Sequence, residues 1–128
     1  MSEAPRYFTL EEACATLDII RPLVAEIMAI RQSILSREPE VWTVVAKAAG
    51  NGGNKVASQV AQEFGQLDQA VRAILATGVL LKDVNAGLVD FPTLRGGHEV
   101  YLCWKYGEDQ IRYWHDIDSG FAGRQPLY

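Results

Sequence analysis

His98, His115 and the carboxylate of Asp116 are the residues of this chain whose types suit a metal ion. Imidazole and carboxylate together take zinc, iron or another transition metal, although no HExxH or similar spacing is present. Cys103 offers a second chemistry, since its thiol becomes a nucleophile as the thiolate, a state that a cation such as Arg112 would favour. A third use involves no reaction. Asp90, Glu99, Tyr101, Cys103, Arg112, Trp114 and Arg124 supply carboxylates, guanidinium groups and rings that could form a pocket for a small molecule or a partner protein. Each residue also has a plain structural use: His115 as a hydrogen-bonded core histidine, Cys103 as a small filler, Asp90 with Arg112 as a cross-strand ion pair, and Arg124 as the anchor of the tail.

These residues need strands to bring them together. Residues 99–105 and 110–117 are β-prone and flank Tyr106-Gly107-Glu108-Asp109, a connection of hairpin length. With Lys105 facing Gln110, the numbers of opposed residues sum to an odd value and the side chains sort into two faces. Val100, Leu102, Trp104, Ile111, Tyr113 and Ile117 then share an apolar face with His98 and His115. Glu99, Tyr101, Cys103, Lys105, Gln110, Arg112, Trp114 and Asp116 share a polar, aromatic face suited to binding. Upstream, residues 79–84 and 88–94 read as two more strands, with Pro92 at a position lacking a ladder bond or at a bulge. A two-residue turn at Gly96-Gly97 sets Arg95 opposite His98 and Asp90 opposite Cys103. The expected rows across the sheet are Asp90–Cys103–Arg112, Pro92–Tyr101–Trp114 and Leu94–Glu99–Asp116.

The first part of the chain reads as scaffold. Thr9 and Glu12 form a capping box ahead of Leu10, Ala13, Leu17, Ile20, Val24, Ile27, Ile30 and Ile34, the stripe of a long amphipathic helix. Pro22 implies a kink or short break near 18–21, and Pro39 ends the run. Residues 40–49 suit a short helix carrying Trp42, whereas 50–54 form a flexible breaker that lacks the GK[ST] of a phosphate loop. A second long helix is expected from about Lys55 to Thr77, with Leu67, Val71 and Ile74 on its stripe and Gly78 as its cap. Stripes this narrow favour self-association, so a homodimer is expected.

The length of 128 residues, 48% hydrophobic and 22% charged, suits one ordinary globular domain. The net charge of -4 is divided evenly, nine acids against seven bases in 1–78 and seven against five in 79–128, so there is no basic footprint for nucleic acid. No signal sequence and no apolar run of spanning length is seen, and a soluble, cytoplasmic protein without membrane contact is expected. Cys14 and Cys103 form no CxxC, and neither a disulfide nor a zinc knuckle follows from them.

The stretches RYFTLEEA, GVLLKDVNAGLVDFP, EVYLCWKYGEDQIRYWH and GFAGRQPL resemble the DUF2203 family of small prokaryotic proteins over nearly the whole chain. The positions that carry the resemblance are Asp90, Trp104, Gly107, Glu108, Trp114, His115, Gly120, Gly123, Arg124 and Pro126. Asp116 stands where the family pattern has glutamate after the histidine, and residues 50–54 are an insertion. The resemblance implies a bacterial or archaeal intracellular protein and brings no activity with it. The reading is an α+β domain over 1–128: a long antiparallel helical hairpin over 10–78, a four-stranded antiparallel β-meander over 79–118 and an irregular tail, 119–128, docked on the sheet. Its expected function is binding or assembly, with self-association through the helices and a polar-aromatic β-face closed by the tail. A metal- or ligand-dependent enzyme and a small-molecule carrier are the alternatives.

Overall fold

A computed structural model describes residues 6–49 and 58–127. Helix α1 spans Leu10–Arg37, α2 Pro39–Ala48 and α3 Ser58–Ala76, and strands β1 Leu80–Asp83, β2 Leu88–Arg95, β3 His98–Lys105, β4 Tyr113–Asp116 and β5 Gln125–Pro126 follow in order. The α+β class holds: the short helix expected over 40–49 is α2, standing between the two long helices of the expected hairpin, and a fifth strand is added to the expected four. The glycine- and asparagine-rich segment at 50–54 lies outside the described residues. No described helix is long and apolar enough to cross a membrane.

The Thr9 hydroxyl accepts the Glu12 amide while the Glu12 carboxylate accepts the Thr9 amide, so the capping box starts α1 as the sequence implies. The helix continues through Pro22 without a break, and Pro39 falls in the first turn of α2, where a missing N–H costs nothing. The α1 stripe from Leu17 to Ile34 is buried against Leu67, Val71 and Ile74 of α3 and against one face of the sheet. That face presents Val89 and Phe91 of β2 and Leu102 and Trp104 of β3. Phe8 closes the end of this layer: its ring meets Phe91 edge-on at 5.4 Å, and its amide donates to the Pro92 carbonyl. From Leu17 to Ile34 of α1 and from Leu67 to Ile74 of α3, the described stripe residues are thus packed within one chain.

The sheet is antiparallel in the order β1-β2-β3-β4-β5. Gly96 and Gly97 both adopt positive φ, +60° and +81°, as a two-residue hairpin turn requires. The register set by this turn pairs Arg95 with His98 and Asp90 with Cys103.

The next hairpin departs from the expected pairing. Observed partners are Cys103 with Tyr113, Leu102 with Trp114, Tyr101 with His115 and Val100 with Asp116, so opposed numbers sum to an even value. The expected odd register is wrong because residues 106–112 all belong to the connection. Ile111 leaves the strand and is buried in the core, while the Glu108 carboxylate accepts the Lys105 amide and its carbonyl accepts the Trp104 indole N–H. Arg21 of α1 donates to the Glu108 and Asp109 carbonyls and fixes the loop from the helical side. A one-residue slip moves every β4 side chain to the other face. His115 therefore joins Asp90 and Cys103, and Trp114 turns to the helical side, packed against the core.

A candidate metal centre on the outer face of the sheet

The outer face, turned away from the helices, carries Asp90, Cys103 and His115 from three consecutive strands. Asp90 and Cys103 are direct cross-strand partners, and His115 lies diagonally across, opposite Tyr101. Although on the outer face, they are among the most enclosed polar groups of the chain, at 1%, 0% and 2% exposure. His115 Nε2 stands 3.1 and 3.2 Å from the two Asp90 oxygens, and Nδ1 is 2.8 Å from the Asp116 carbonyl. A carbonyl only accepts, so Nδ1 is the donor in its contact, and a hydrogen bond between Nε2 and the Asp90 carboxylate requires a second proton on one of the two. Burial, and then the Asp90 charge, push the Cys103 thiol up to about 12. It is a protonated thiol that donates toward Asp90, and the nucleophilic thiolate reading loses its basis.

Around these three residues the outer face is aromatic and cationic. The Tyr101 ring meets His115 edge-on at 5.6 Å and carries the Lys82 ammonium at 4.7 Å. Burial, then the Glu99 carboxylate, hold the Tyr101 phenol above its usual range. The C-terminal segment returns along β4: Tyr113 pairs with Pro126, Trp114 with Gln125, and the Leu127 amide donates to the Arg112 carbonyl. Before it reaches β5, a 3-10 turn over Phe121–Gly123 sets Phe121 beside Arg124. The Arg124 guanidinium lies 4.0 Å from the Tyr113 ring and 4.6 Å from Phe121, and its Nη2 donates to both Glu108 oxygens at 2.8 and 2.7 Å.

The expected site residues part company here. His98 is exposed on the opposite face from His115, and with Asp116 it lines an open recess of about 560 Å³ shared with Glu99 and Asp118. The set His98, His115 and Asp116 is therefore not assembled; Asp116 reaches His115 only through its backbone carbonyl. Arg112 pairs with Asp109 in the connecting loop at 3.0 Å instead of facing Cys103 and Asp90. Trp114 stacks under Arg95 at 4.9 Å rather than under a ligand on the outer face. Glu99 accepts from the Tyr7 hydroxyl at 3.3 Å, and Arg124, the expected anchor of the tail, pairs with Glu108. Glu108 and Tyr113 were missed as site residues. The signal for Glu108 was its place three residues after Lys105 in a Gly-containing turn, where a carboxylate can reach back to a free amide.

Among the described residues, Asp90, Cys103 and His115 form the group whose ligand atoms converge, all within 4.8 Å of one another. A two-layer α+β fold with a buried Asp–Cys–His set on its outer sheet face is the class that architecture and site define. The chain belongs to the DUF2203 family, described as an uncharacterized conserved protein, whose model matches residues 6–127. No curated protein and no solved structure matches it.

Proposed function

We propose that this chain is a small binding protein whose working site is the outer face of the sheet, centred on Asp90, Cys103 and His115 and closed along β4 by its own tail. The observation that carries this reading is the burial of an aspartate, a histidine and a thiol on a face that the helical core does not use. Taking such a charged pair out of water costs several kcal/mol per ion, which their attraction roughly offsets, so apolar residues of similar volume would support folding as well. Stability alone therefore does not account for the set, whereas a binding role does. The setting is that of a soluble protein of the prokaryotic cytoplasm. Among the described residues, Ile19, Val44 and Leu75 are the large apolar side chains most exposed on the helices, at 57%, 52% and 47%, and a helix-mediated self-association would use them.

The test replaces the pair with apolar residues, Asp90→Val with His115→Leu, and compares thermal melting with and without divalent ions and small anions. The expected double variant melts at or above the native temperature and loses every ligand-induced shift that the native protein shows. A fall of about 10 °C or more, corresponding to roughly 3 kcal/mol for a domain of this size, together with no ligand shift in the native chain, would show that the group is purely structural.

A further inference from the structure

Resting on the site just proposed, we infer that its ligand is a divalent transition-metal ion, held by an Asp90 carboxylate oxygen, Cys103 Sγ and His115 Nε2. The donor set selects the class of ion. One thiolate, one imidazole and one carboxylate match the borderline-soft first-row metals, zinc, cobalt and iron among them, whereas magnesium and calcium take oxygen ligands throughout.

Geometry makes the set usable. Zinc bonds of about 2.0–2.3 Å place tetrahedral ligand atoms about 3.3–3.6 Å apart, and here Asp90 and His115 already stand 3.1 Å apart with Sγ no more than 4.8 Å from either. All three ligands come from paired strands rather than loops, so the backbone that holds them is fixed by ladder hydrogen bonds. Three protein ligands leave one tetrahedral position for water or another small ligand, the pattern of an open zinc site.

The histidine supplies an independent observation. Metal-bound histidines almost always donate their other ring N–H to a carbonyl or carboxylate, which fixes the tautomer and aims the free nitrogen at the ion. His115 has this arrangement, with Nδ1 on the Asp116 carbonyl and Nε2 aimed at Asp90. Binding replaces protons by the ion: the one shared by Nε2 and Asp90, and the thiol proton of Cys103. A dication with Asp⁻, neutral imidazole and thiolate sums to zero charge, so the occupied site remains a neutral buried unit and the charge leaves as two protons.

The experiment uses the full chain freed of metal by a chelator and titrated with Co²⁺ alone. The native protein is expected to take up about one ion per chain, to show a near-ultraviolet thiolate-to-cobalt charge-transfer band with visible ligand-field bands, and to release about two protons per ion into weak buffer. Cys14→Ser keeps the band, because Cys14 is exposed on α1 and is not among the converging ligands. Cys103→Ser removes the band, and His115→Gln weakens binding by about 100-fold or more. The native-chain proton count stands even where a variant folds poorly. A native chain that gives no cobalt band and releases no protons, yet melts higher with a small anion, overturns the metal and leaves the binding face intact. A band that survives in Cys103→Ser also overturns the assignment.

Discussion

Removal of the Arg124 guanidinium gives a defined loss. Its side chain is 12% exposed and that of Glu108 is 25% exposed, so the pair is shielded from water well beyond an ordinary surface ion pair. A hydrogen bond to a charged group contributes about 1.5–3 kcal/mol, and each of the two ring contacts adds about 0.5–1 kcal/mol. In Arg124→Ala the Glu108 carboxylate still accepts the Lys105 amide at 2.9 Å, which limits the damage to about 3 kcal/mol. With an unfolding entropy of about 2.1 cal/mol/K per residue, 1 kcal/mol shifts the melting point of this chain by about 4 °C, so Arg124→Ala should melt about 10–12 °C lower. Both bonds to Glu108 leave from Nη2 alone, so an ammonium can replace them in part. Arg124→Lys should therefore lose only about 1 kcal/mol, chiefly the flat stacking between Tyr113 and Phe121. A double-mutant cycle with Glu108→Gln, followed by calorimetry, should return a coupling of about 1–2 kcal/mol. An Arg124→Ala melting point within about 2 °C of native would refute the view that this clamp holds the tail.

Leu67 is fully enclosed, so Leu67→Glu should unfold the chain, at a cost of about 4 kcal/mol or more; circular dichroism reads this directly. Ile19→Glu is the proper probe of self-association, and should leave stability within about 0.5 kcal/mol while lowering the light-scattering mass of any helix-mediated dimer. Gly87 has φ +66°, and a Cβ there would stand 2.7 Å from that of Tyr106, so Gly87→Ala should lose about 2 kcal/mol or more in a denaturant titration. The Thr9 amide holds the Glu12 carboxyl below its ordinary 4.5. A depressed carboxyl stabilises the fold above its unfolded value and loses that contribution as pH falls through the folded one, so native chain and Glu12→Gln should converge in stability as the pH is taken from above 4.5 down through the lowered folded value.

The helical layer was legible because its signals are local: a capping box at Thr9, an apolar residue every three or four positions, and Pro39 in the first turn of α2; Pro22 misled, since α1 runs through it without the expected break. The β2–β3 register was equally legible, since a Gly-Gly pair between two apolar runs leaves one turn that fits. The β3–β4 register was not. Assigning Ile111 to a strand gave a clean separation of apolar from polar side chains, but Ile111 packs into the core from a loop whose length is set by Glu108 and Arg21, contacts that no spacing rule contains. Asp90, Cys103 and His115 are polar and buried on the outer face; His115 as a hydrogen-bonded core histidine was expected, but the odd register set it beside His98 on the other face. Asp90 and Cys103 were placed together correctly, and the slip of one residue hid the third member from view.

Nitrogen-15 resonances of the His115 ring, followed as zinc is added to the metal-free chain, report directly on whether this histidine ligates the ion. Nδ1 should keep its proton throughout while Nε2 moves to the position of a metal-bound nitrogen, saturating at about one ion per chain. Zinc that leaves both His115 nitrogens where they were, or that moves His98 in their place, contradicts that ligation.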